Sequence, residues 1–274
     1  MLAVVLAAVA VAFFALPLVG LLWRMPWSRV WEVLSSRAVG RALQLSVTTS
    51  LLAAAISMVF GVPLAWMLAR VGFPGRSVVR ALSTLSMVLP AVVGGVALFF
   101  SFGRRGLFGQ YLDDWFGIRL PFSTAGVVVA QVFVAMPFLV LSVESALRQL
   151  DSRLEDAART LGGSRWYVFR RVTLPAIRPG LVAGAVLAWS RALGEFGATV
   201  TFAGNLPGRT QTMPLATYLA LESDPEAALV LSLLLIAVSF AVLLGLRDRW
   251  LGQARTPASK DAASVDGTAS AVAT

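Results

Sequence analysis

Apolar residues in this chain fall into long blocks, separated by short stretches rich in arginine, glycine and proline. Each block is close to the roughly 20 helical residues that cross the hydrocarbon core of a bilayer. The blocks predict six membrane-spanning helices, at about 2–22, 43–68, 78–102, 125–147, 181–203 and 227–246. The expected fold is an all-α, polytopic membrane domain over 1–250, followed by a disordered tail over 251–274 that lacks apolar periodicity.

Three of these spans carry features that bear on where they begin or bend. The third span has Pro90 and the pair Gly94-Gly95 near its middle. The last span opens with Asp-Pro-Glu at 224–226, which suits an N-cap, the first helical position and the first turn of a helix. For the first span a cleavable signal peptide is the alternative, but this segment has neither a basic start nor a clear cleavage box.

Composition agrees with a membrane protein and excludes several kinds of chemistry. Hydrophobic residues make up 58% of the chain and charged residues 14%, whereas a typical soluble domain has about 25% charged residues. The sequence contains no cysteine and no histidine. This excludes disulfides, zinc sites of the Cys/His type, histidine-ligated haem and catalysis by imidazole or thiolate.

The net charge of +9 comes almost entirely from arginine. We interpret this excess as topology determinants and lipid headgroup contacts, not as a nucleic-acid surface. If the loop at 148–178 is cytoplasmic, 14 of the 23 basic residues lie on the cytoplasmic side and eight on the other. Because cytoplasmic loops carry the excess of basic residues, the pattern predicts that both termini are cytoplasmic.

The loop between the fourth and fifth spans is charged, forms helices and is interrupted by glycine, so it cannot lie in lipid. Residues 154–161 have helical spacing with Leu and Ala on one side, and Gly162 is expected to end that helix in the left-handed conformation. Ser164 is expected to cap a second short helix, which Pro175 and Pro179 stop before the fifth span. The resulting hairpin either docks on a partner or lies on the lipid headgroups.

The same loop resembles the signature of ATP-binding-cassette (ABC) importer permeases, E-A-A-x3-G-x9-I-x-L-P. The matching residues, with Asp for Glu and Val for Ile, are Asp156, Ala157, Ala158, Gly162, Val172, Leu174 and Pro175. The resemblance implies a cytoplasmic coupling-helix loop, at about 150–178, on which two copies of an ABC ATPase subunit dock. It also implies an extracytoplasmic binding protein, a second copy of this chain and a location in the bacterial plasma membrane.

The sequence has no nucleotide-binding loop of the form G-x4-G-K-[ST], because its only lysine, Lys260, lies in the tail and precedes Asp261. The resemblance therefore implies that ATP and Mg²⁺ bind to the separate ATPase subunit, and that this chain is non-catalytic and holds no cofactor. Intramembrane proteases fail as an alternative class, since the predicted spans contain no histidine, lysine or aspartate. A secondary transporter acting alone is a further alternative, but it would need no docking loop.

A second informative stretch runs from Ala192 to Tyr218 and reads ALGEFGATVTFAGNLPGRTQTMPLATY. It resembles molybdate permease subunits, which carry G-E-F-G-A-T-x-x-F-A-G-N and P-G-R-T-Q-T-x-P-L-A-x-Y at these offsets. Sulfate permeases resemble it only through A-L-G-E-F-G-A. The resemblance implies import of molybdate or tungstate, with sulfate or thiosulfate as the alternative. The segment itself is expected to recognise either the ion or the protein that delivers it.

Few charges lie within the predicted spans. Arg191 and Glu195 stand four residues apart on the fifth span, so they are expected to share one helix face. They either neutralise each other or contribute positive potential to an oxyanion path. We interpret Glu144, near the inner end of the fourth span, as an interfacial residue. The pair Asp113-Asp114 is interpreted as solvated carboxylates, so no metal site is expected.

Overall fold

The computed structural model describes the backbone of residues 1–251 and their side chains up to 242, together with Leu244. All regular structure in this part of the chain is helical. The described chain divides into a unit that ends at Leu235 and a second one that begins at Ile236. The predicted disordered tail at 251–274 lies, apart from Leu251, outside the described residues.

Thirteen helices are described, the last of which continues into the second unit. They are α1 (Leu2–Trp23), α2 (Val30–Leu34), α3 (Arg37–Arg70), α4 (Arg76–Val88), α5 (Ala91–Phe102), α6 (Gly109–Phe116), α7 (Thr124–Gln149), α8 (Ser152–Thr160), α9 (Arg165–Val168), α10 (Leu174–Leu193), α11 (Gly197–Phe202), α12 (Met213–Ser223) and α13 (Pro225–Leu251). A π-helical turn, Phe169–Thr173, joins α9 to α10. The expectation of an all-α fold is confirmed.

Helix starts follow the capping residues of the sequence. The hydroxyls of Ser36 and Ser123 accept hydrogen bonds from the third following backbone N–H groups at the starts of α3 and α7. The Asp224 carboxylate accepts from the N–H of Ala227 at 3.2 Å, so the predicted N-cap of the last helix is confirmed. These side chains satisfy backbone donors that have no partner within the helix.

Five described helices are long and apolar enough to cross a membrane, and α4 with α5 makes a sixth candidate if the bent pair counts as one span. The predicted span at 78–102 is formed by two helices, because α4 and α5 meet at an angle of 119°. Leu89 and Pro90 between them are extended. A residue before proline is pushed out of the helical region, and proline offers no N–H to continue the helix.

The fifth span also differs from its prediction. It begins earlier than residue 181, because helix continues from Arg165 to Leu193 through the π turn. Pro175 and Pro179 therefore do not stop the helix. Pro175 lies in the first turn of α10, where its missing N–H costs little, and the π turn absorbs the irregularity before it. The span ends early at Leu193, and α11 is a separate short helix.

The core lies where α3, α7 and α10 pack together. Leu139 of α7 is fully buried and packs against the glycines of the neighbouring helices. A Cβ at Gly61 or Gly184 would stand 2.9 Å from a side chain of α7. The Ser142 hydroxyl also donates to the Gly180 carbonyl at 2.8 Å. Because lipid is as apolar as leucine, close packing of small residues and hydrogen bonds between helices hold such a bundle together.

Helix α1 contributes nothing to this core, since none of its 22 residues is buried. At its end the chain turns into α2, and Arg29 in that turn forms ion pairs with Asp224 at 2.8 Å and with Glu226 at 2.9 Å. These contacts link the segment before α3 to the start of α13. We call the end of the bundle that carries α8 and α9 the docking end, and the opposite end, with Arg29 and Asp224, the far end.

Candidate functional site

The predicted docking helix is α8, which exposes leucine at the surface and buries one carboxylate. Leu154 is 55% exposed, and Leu161, which lies just past the end of α8, is 89% exposed. Glu155 is only 7% exposed. The signature residues Asp156 and Ala157 are exposed and Ala158 is half-buried. Exposed leucine beside small alanines forms an apolar surface that a partner can cover.

The glycine that ends α8 has a conformational role. Gly162 has φ of +86°, a left-handed conformation that glycine adopts without steric cost. The prediction of a left-handed cap is therefore confirmed. No atom of the described chain lies within 4 Å of the position where its Cβ would stand, so the cost of a Cβ here comes from the backbone conformation and not from a clash.

The rest of the signature lies on the helix that follows. The Ser164 hydroxyl accepts from the Tyr167 N–H at 3.2 Å, so the predicted cap of α9 is confirmed. Val172 and Leu174 are half-buried, and Pro175 is exposed. Asp156, Ala157 and Pro175 of the signature are thus exposed, whereas Ala158, Val172 and Leu174 are half-buried.

Sequence reasoning missed Glu155, which the structure turns toward the permease core. Its Oε1 accepts from the Thr173 hydroxyl at 2.6 Å, and its Oε2 lies 3.6 Å from the Arg70 guanidinium. A helical wheel gives no signal for this contact, because it would have placed the leucines inside.

Glu144 was predicted to be an interfacial residue. It is instead buried, with 4% of its surface exposed. Its Oε1 forms ion pairs with Nη2 of Arg80 at 2.6 Å and with Nη2 of Arg148 at 2.8 Å. Arg80, Arg148 and Arg76 also donate to the carbonyl of Leu68 in the last turn of α3. The carbonyls at a helix C-terminus attract cations, so this cluster fixes the end of α3 to α4 and α7.

Arg191 and Glu195 do form an ion pair, with 2.6 Å between Nη1 and Oε2. Glu195 is 1% exposed, whereas a third of the Arg191 side chain is exposed. The two residues do not share one helix, because α10 ends before Glu195. Glu195 Oε1 instead accepts from the Ala198 N–H at 2.8 Å, in the first turn of α11. The carboxylate therefore joins the broken ends of α10 and α11.

The stretch that follows α11, which we call the return segment, runs from Gly204 to Thr212 at the far end. Its tip, 206–209, is exposed, whereas Thr210, Gln211 and Thr212 are buried. Thr124 of α7 donates to the Arg209 carbonyl at 2.9 Å. The Ser46 hydroxyl of α3 accepts from the Met213 N–H at 2.7 Å. Most of the residues that resemble molybdate permeases are thus packed inside the bundle.

The two aspartates at 113–114 lie in different surroundings. Asp113 receives Arg119 at 2.8 Å and Arg104 at 3.1 Å. The hydrogen bond from Arg119 holds the pKa of the Asp113 carboxyl below its usual value. Asp114 is exposed. Asp113 thus ties α6 to the segments before and after it, and no group of three or more candidate metal ligands occurs within the described chain.

Comparison with known proteins defines the class. The family described as "Binding-protein-dependent transport system inner membrane component" matches residues 61–254. The chain belongs to this family, and it is a multi-pass membrane protein.

Individual relatives are similar over nearly the whole chain. The molybdenum transport system permease protein ModB of Mycobacterium tuberculosis is 47% identical over 93% of this chain and 94% of that protein. ModB of Escherichia coli is 43% identical over 78% of this chain and 93% of that protein. The sulfate transport system permease protein CysT of Escherichia coli is 37% identical over 81% of this chain and 80% of that protein.

Solved structures agree on the fold. A bacterial ABC transporter that imports the acidic polysaccharide alginate matches with a TM-score of 0.71 and 18% identity, over 92% of this chain and 94% of that one. The MetNI methionine ABC transporter in an inward-facing conformation matches with a TM-score of 0.60 and 18% identity, over 77% of this chain and 94% of that one. The bundle is therefore the ABC importer permease fold.

Proposed function

We propose that this chain is the permease subunit of an ATP-driven importer that passes molybdate or tungstate from a binding protein to the cytoplasm. The observation that carries the proposal is the agreement between the residues from Ala192 to Tyr218 and those of molybdate permeases. Relatives that are named for molybdenum transport and are 41–47% identical support it. The two oxyanions have the same charge and nearly the same size, so one pathway accepts both.

Energy comes from an ABC ATPase subunit that binds ATP and Mg²⁺. The exposed face of α8, with Leu154, Asp156, Ala157 and Leu161, is the surface on which it docks. This chain supplies no group for ATP hydrolysis. Two copies of the ATPase serve the transporter, since each permease subunit carries one docking helix.

The transporter contains a second copy of this chain. Six spans enclose little pathway by themselves, and α1 presents an apolar surface with no buried residue over its whole length. Lipid or the second permease subunit covers that surface. Two copies thus surround one pathway.

The docking end is cytoplasmic, both termini lie on that side, and the far end faces the binding protein. The basic residues near the docking end support this orientation. The membrane is the bacterial plasma membrane, and 251–274 is a disordered cytoplasmic tail.

Arg191 and Glu195 form a neutral pair beside the ion path. An unopposed arginine at this depth would hold a dianion tightly, whereas a permease must release it. Glu195 is buried and the Arg191 side chain is one-third exposed. The arginine therefore offers a weak positive potential to the passing ion.

Reconstitution tests the proposal. The permease, its ATPase and the binding protein encoded beside them are placed in lipid vesicles with ATP. Hydrolysis is expected to rise with submillimolar molybdate or tungstate and to stay unchanged with sulfate. Equal stimulation by sulfate would move the assignment to sulfate or thiosulfate. Uptake by the permease without any ATPase would instead favour a secondary transporter.

A further inference from the structure

The docking helix is held to the permease by one buried carboxylate. Glu155 and Asp156 are neighbours in sequence, but Glu155 is buried and Asp156 is exposed. Residues that meet a docked ATPase must be exposed, so Glu155 cannot be part of that surface. Its contacts must serve the permease itself.

One contact joins Glu155 to the fifth span. The Thr173 hydroxyl, itself 2% exposed, donates to Glu155 Oε1 at 2.6 Å. Thr173 closes the π turn, in which the Leu174 N–H donates to the Phe169 carbonyl five residues earlier. The residue after this pair is Pro175, which leaves the helix without one N–H donor. The hydrogen bond from Thr173 therefore attaches α8 at the irregular turn that leads directly into α10.

A second contact joins the same carboxylate to α3. The Arg70 guanidinium lies 3.6 Å from Glu155 Oε2 and donates to the Leu150 carbonyl at 3.4 Å, just before α8. Arg70 is the last residue of α3, and nearer the other end of that helix Ser46 accepts from the Met213 N–H, which directly follows the return segment. Both oxygens of Glu155 are thus engaged, each by a different span.

We propose that Glu155 is a positioning residue that transmits movement of the docked α8 to α3 and α10 together. The proposal rests on the proposed function, because it requires an ATPase that moves α8. A short hydrogen bond to a buried carboxylate and a flanking guanidinium resist separation better than apolar contact does. When α8 moves, the start of α10 and the end of α3 therefore move with it.

Thr173 offers a matched pair of variants. Thr173→Val removes the hydroxyl at nearly constant volume, whereas Thr173→Ser keeps the donor. Each is combined with Ser190→Cys, a reporter at an exposed position of α10. The chain has no cysteine of its own, so a maleimide labels this chain only at residue 190, and labelling is read on the band of this chain after electrophoresis. Labelling is compared with and without ATP and vanadate, in the complex with the ATPase and without any oxyanion.

We expect both variants to co-purify with the ATPase as the unchanged chain does. The nucleotide-dependent change in labelling should persist in Thr173→Ser and fall about tenfold in Thr173→Val, as loss of a hydrogen bond to a charged group predicts. Glu155→Gln keeps an acceptor for Thr173 but not the charge that faces Arg70, and should give an intermediate response. It also provides a second variant if Thr173→Val assembles poorly.

Equal labelling responses in Thr173→Val and Thr173→Ser would overturn the proposal. So would loss of ATPase binding in Glu155→Gln, since the residue would then shape the docking surface itself. Because the measurement uses no oxyanion, its outcome is independent of whether the vesicles respond to molybdate. A failure of this inference is thus distinct from a failure of the proposed function.

Discussion

The docking loop and the return segment lie at opposite ends of the bundle. They differ in whether their motif residues are exposed or buried. On α8 the motif residues Asp156 and Ala157 are exposed, and the residue that anchors the helix, Glu155, lies outside the motif. In the return segment the motif residues Thr210 and Thr212 are fully buried, and only the tip at 206–209 is exposed. The resemblance thus falls on exposed residues in one region and on buried residues in the other.

This difference teaches how to interpret the two resemblances. If α8 receives a partner, replacement of its exposed residues should spare stability and harm coupling. Because Thr210 and Thr212 of the return segment are buried, replacement of residues there should harm stability first. The following variants test that division, in decreasing order of the expected loss of thermal stability.

Replacing Glu195 should have the largest effect. Glu195→Leu leaves Arg191 without its partner and removes the acceptor of the Ala198 N–H, which together predict a loss of about 3–5 kcal/mol. Arg191→Leu also leaves a buried charge without its partner. The double variant should recover the charge penalty but not the lost cap, which is worth about 1 kcal/mol.

Thermal unfolding of the purified proteins in detergent measures all three variants. If the loss in the double variant equals the sum of the two single losses, the two charges do not compensate each other. The pairing interpretation would then be wrong.

Ser46→Ala tests the packed half of the comparison. It leaves the buried N–H of Met213 without an acceptor, which should cost about 1–3 kcal/mol and lower the melting temperature. Thr48→Ala is the control, because Thr48 lies on the same helix, is exposed and bonds only to carbonyls of its own helix. Equal melting temperatures for the two variants would contradict the assignment of the return segment to internal packing.

Gly162 tests the exposed half. Gly162→Val places a β-branched residue at positive φ, which costs about 1–2 kcal/mol locally, and should abolish uptake and substrate-stimulated ATP hydrolysis in an assembled bundle. Gly162→Asn tolerates the left-handed conformation but adds a side chain. If Asn restores uptake, the conformation matters and contact size does not. Normal uptake by a stably expressed Gly162→Val protein would contradict both roles.

The ion pairs at the far end should give the smallest effect, and one that depends on pH. The hydrogen bond from Arg29 holds the pKa of Asp224 below its usual value of 3.8. Stabilisation by this carboxylate is thus complete above pH 3.8 and is lost as the pH falls through the lower pKa of the folded state. The unchanged chain should lose more stability over that acidic range than Asp224→Asn, in which only other carboxylates such as Asp113 still titrate. Asp114→Asn, at an exposed position, should behave as the unchanged chain does.

Much of the fold follows from local sequence, and the departures from prediction have a common cause. Apolar blocks located the spans, and local residues such as Ser164, Gly162 and Asp224 fixed caps and turns as predicted. The buried carboxylates Glu144 and Glu155 were misread or missed, because their partners come from distant segments. Arg80, for example, lies 64 residues from Glu144.

The helix breaks show a second limit of local reasoning. Proline marks a possible break, but the surrounding structure decides between continuation and a bend. At Pro90 the chain bends by 119°, whereas at Pro175 a π turn lets the helix continue. No local rule separated these two prolines, because the Thr173 hydroxyl at the end of the π turn donates to Glu155 on another helix.

The residues of helix α1 are not constrained by packing within their own chain. Up to Gly20 its residues are all exposed, so they meet lipid or another chain and not the core of their own subunit. Conservative apolar exchanges in this helix leave the packing of α3, α7 and α10 untouched. We therefore expect sequence drift between related proteins to accumulate in α1 fastest among the spans, and any position there that resists drift to mark a contact with a neighbouring chain.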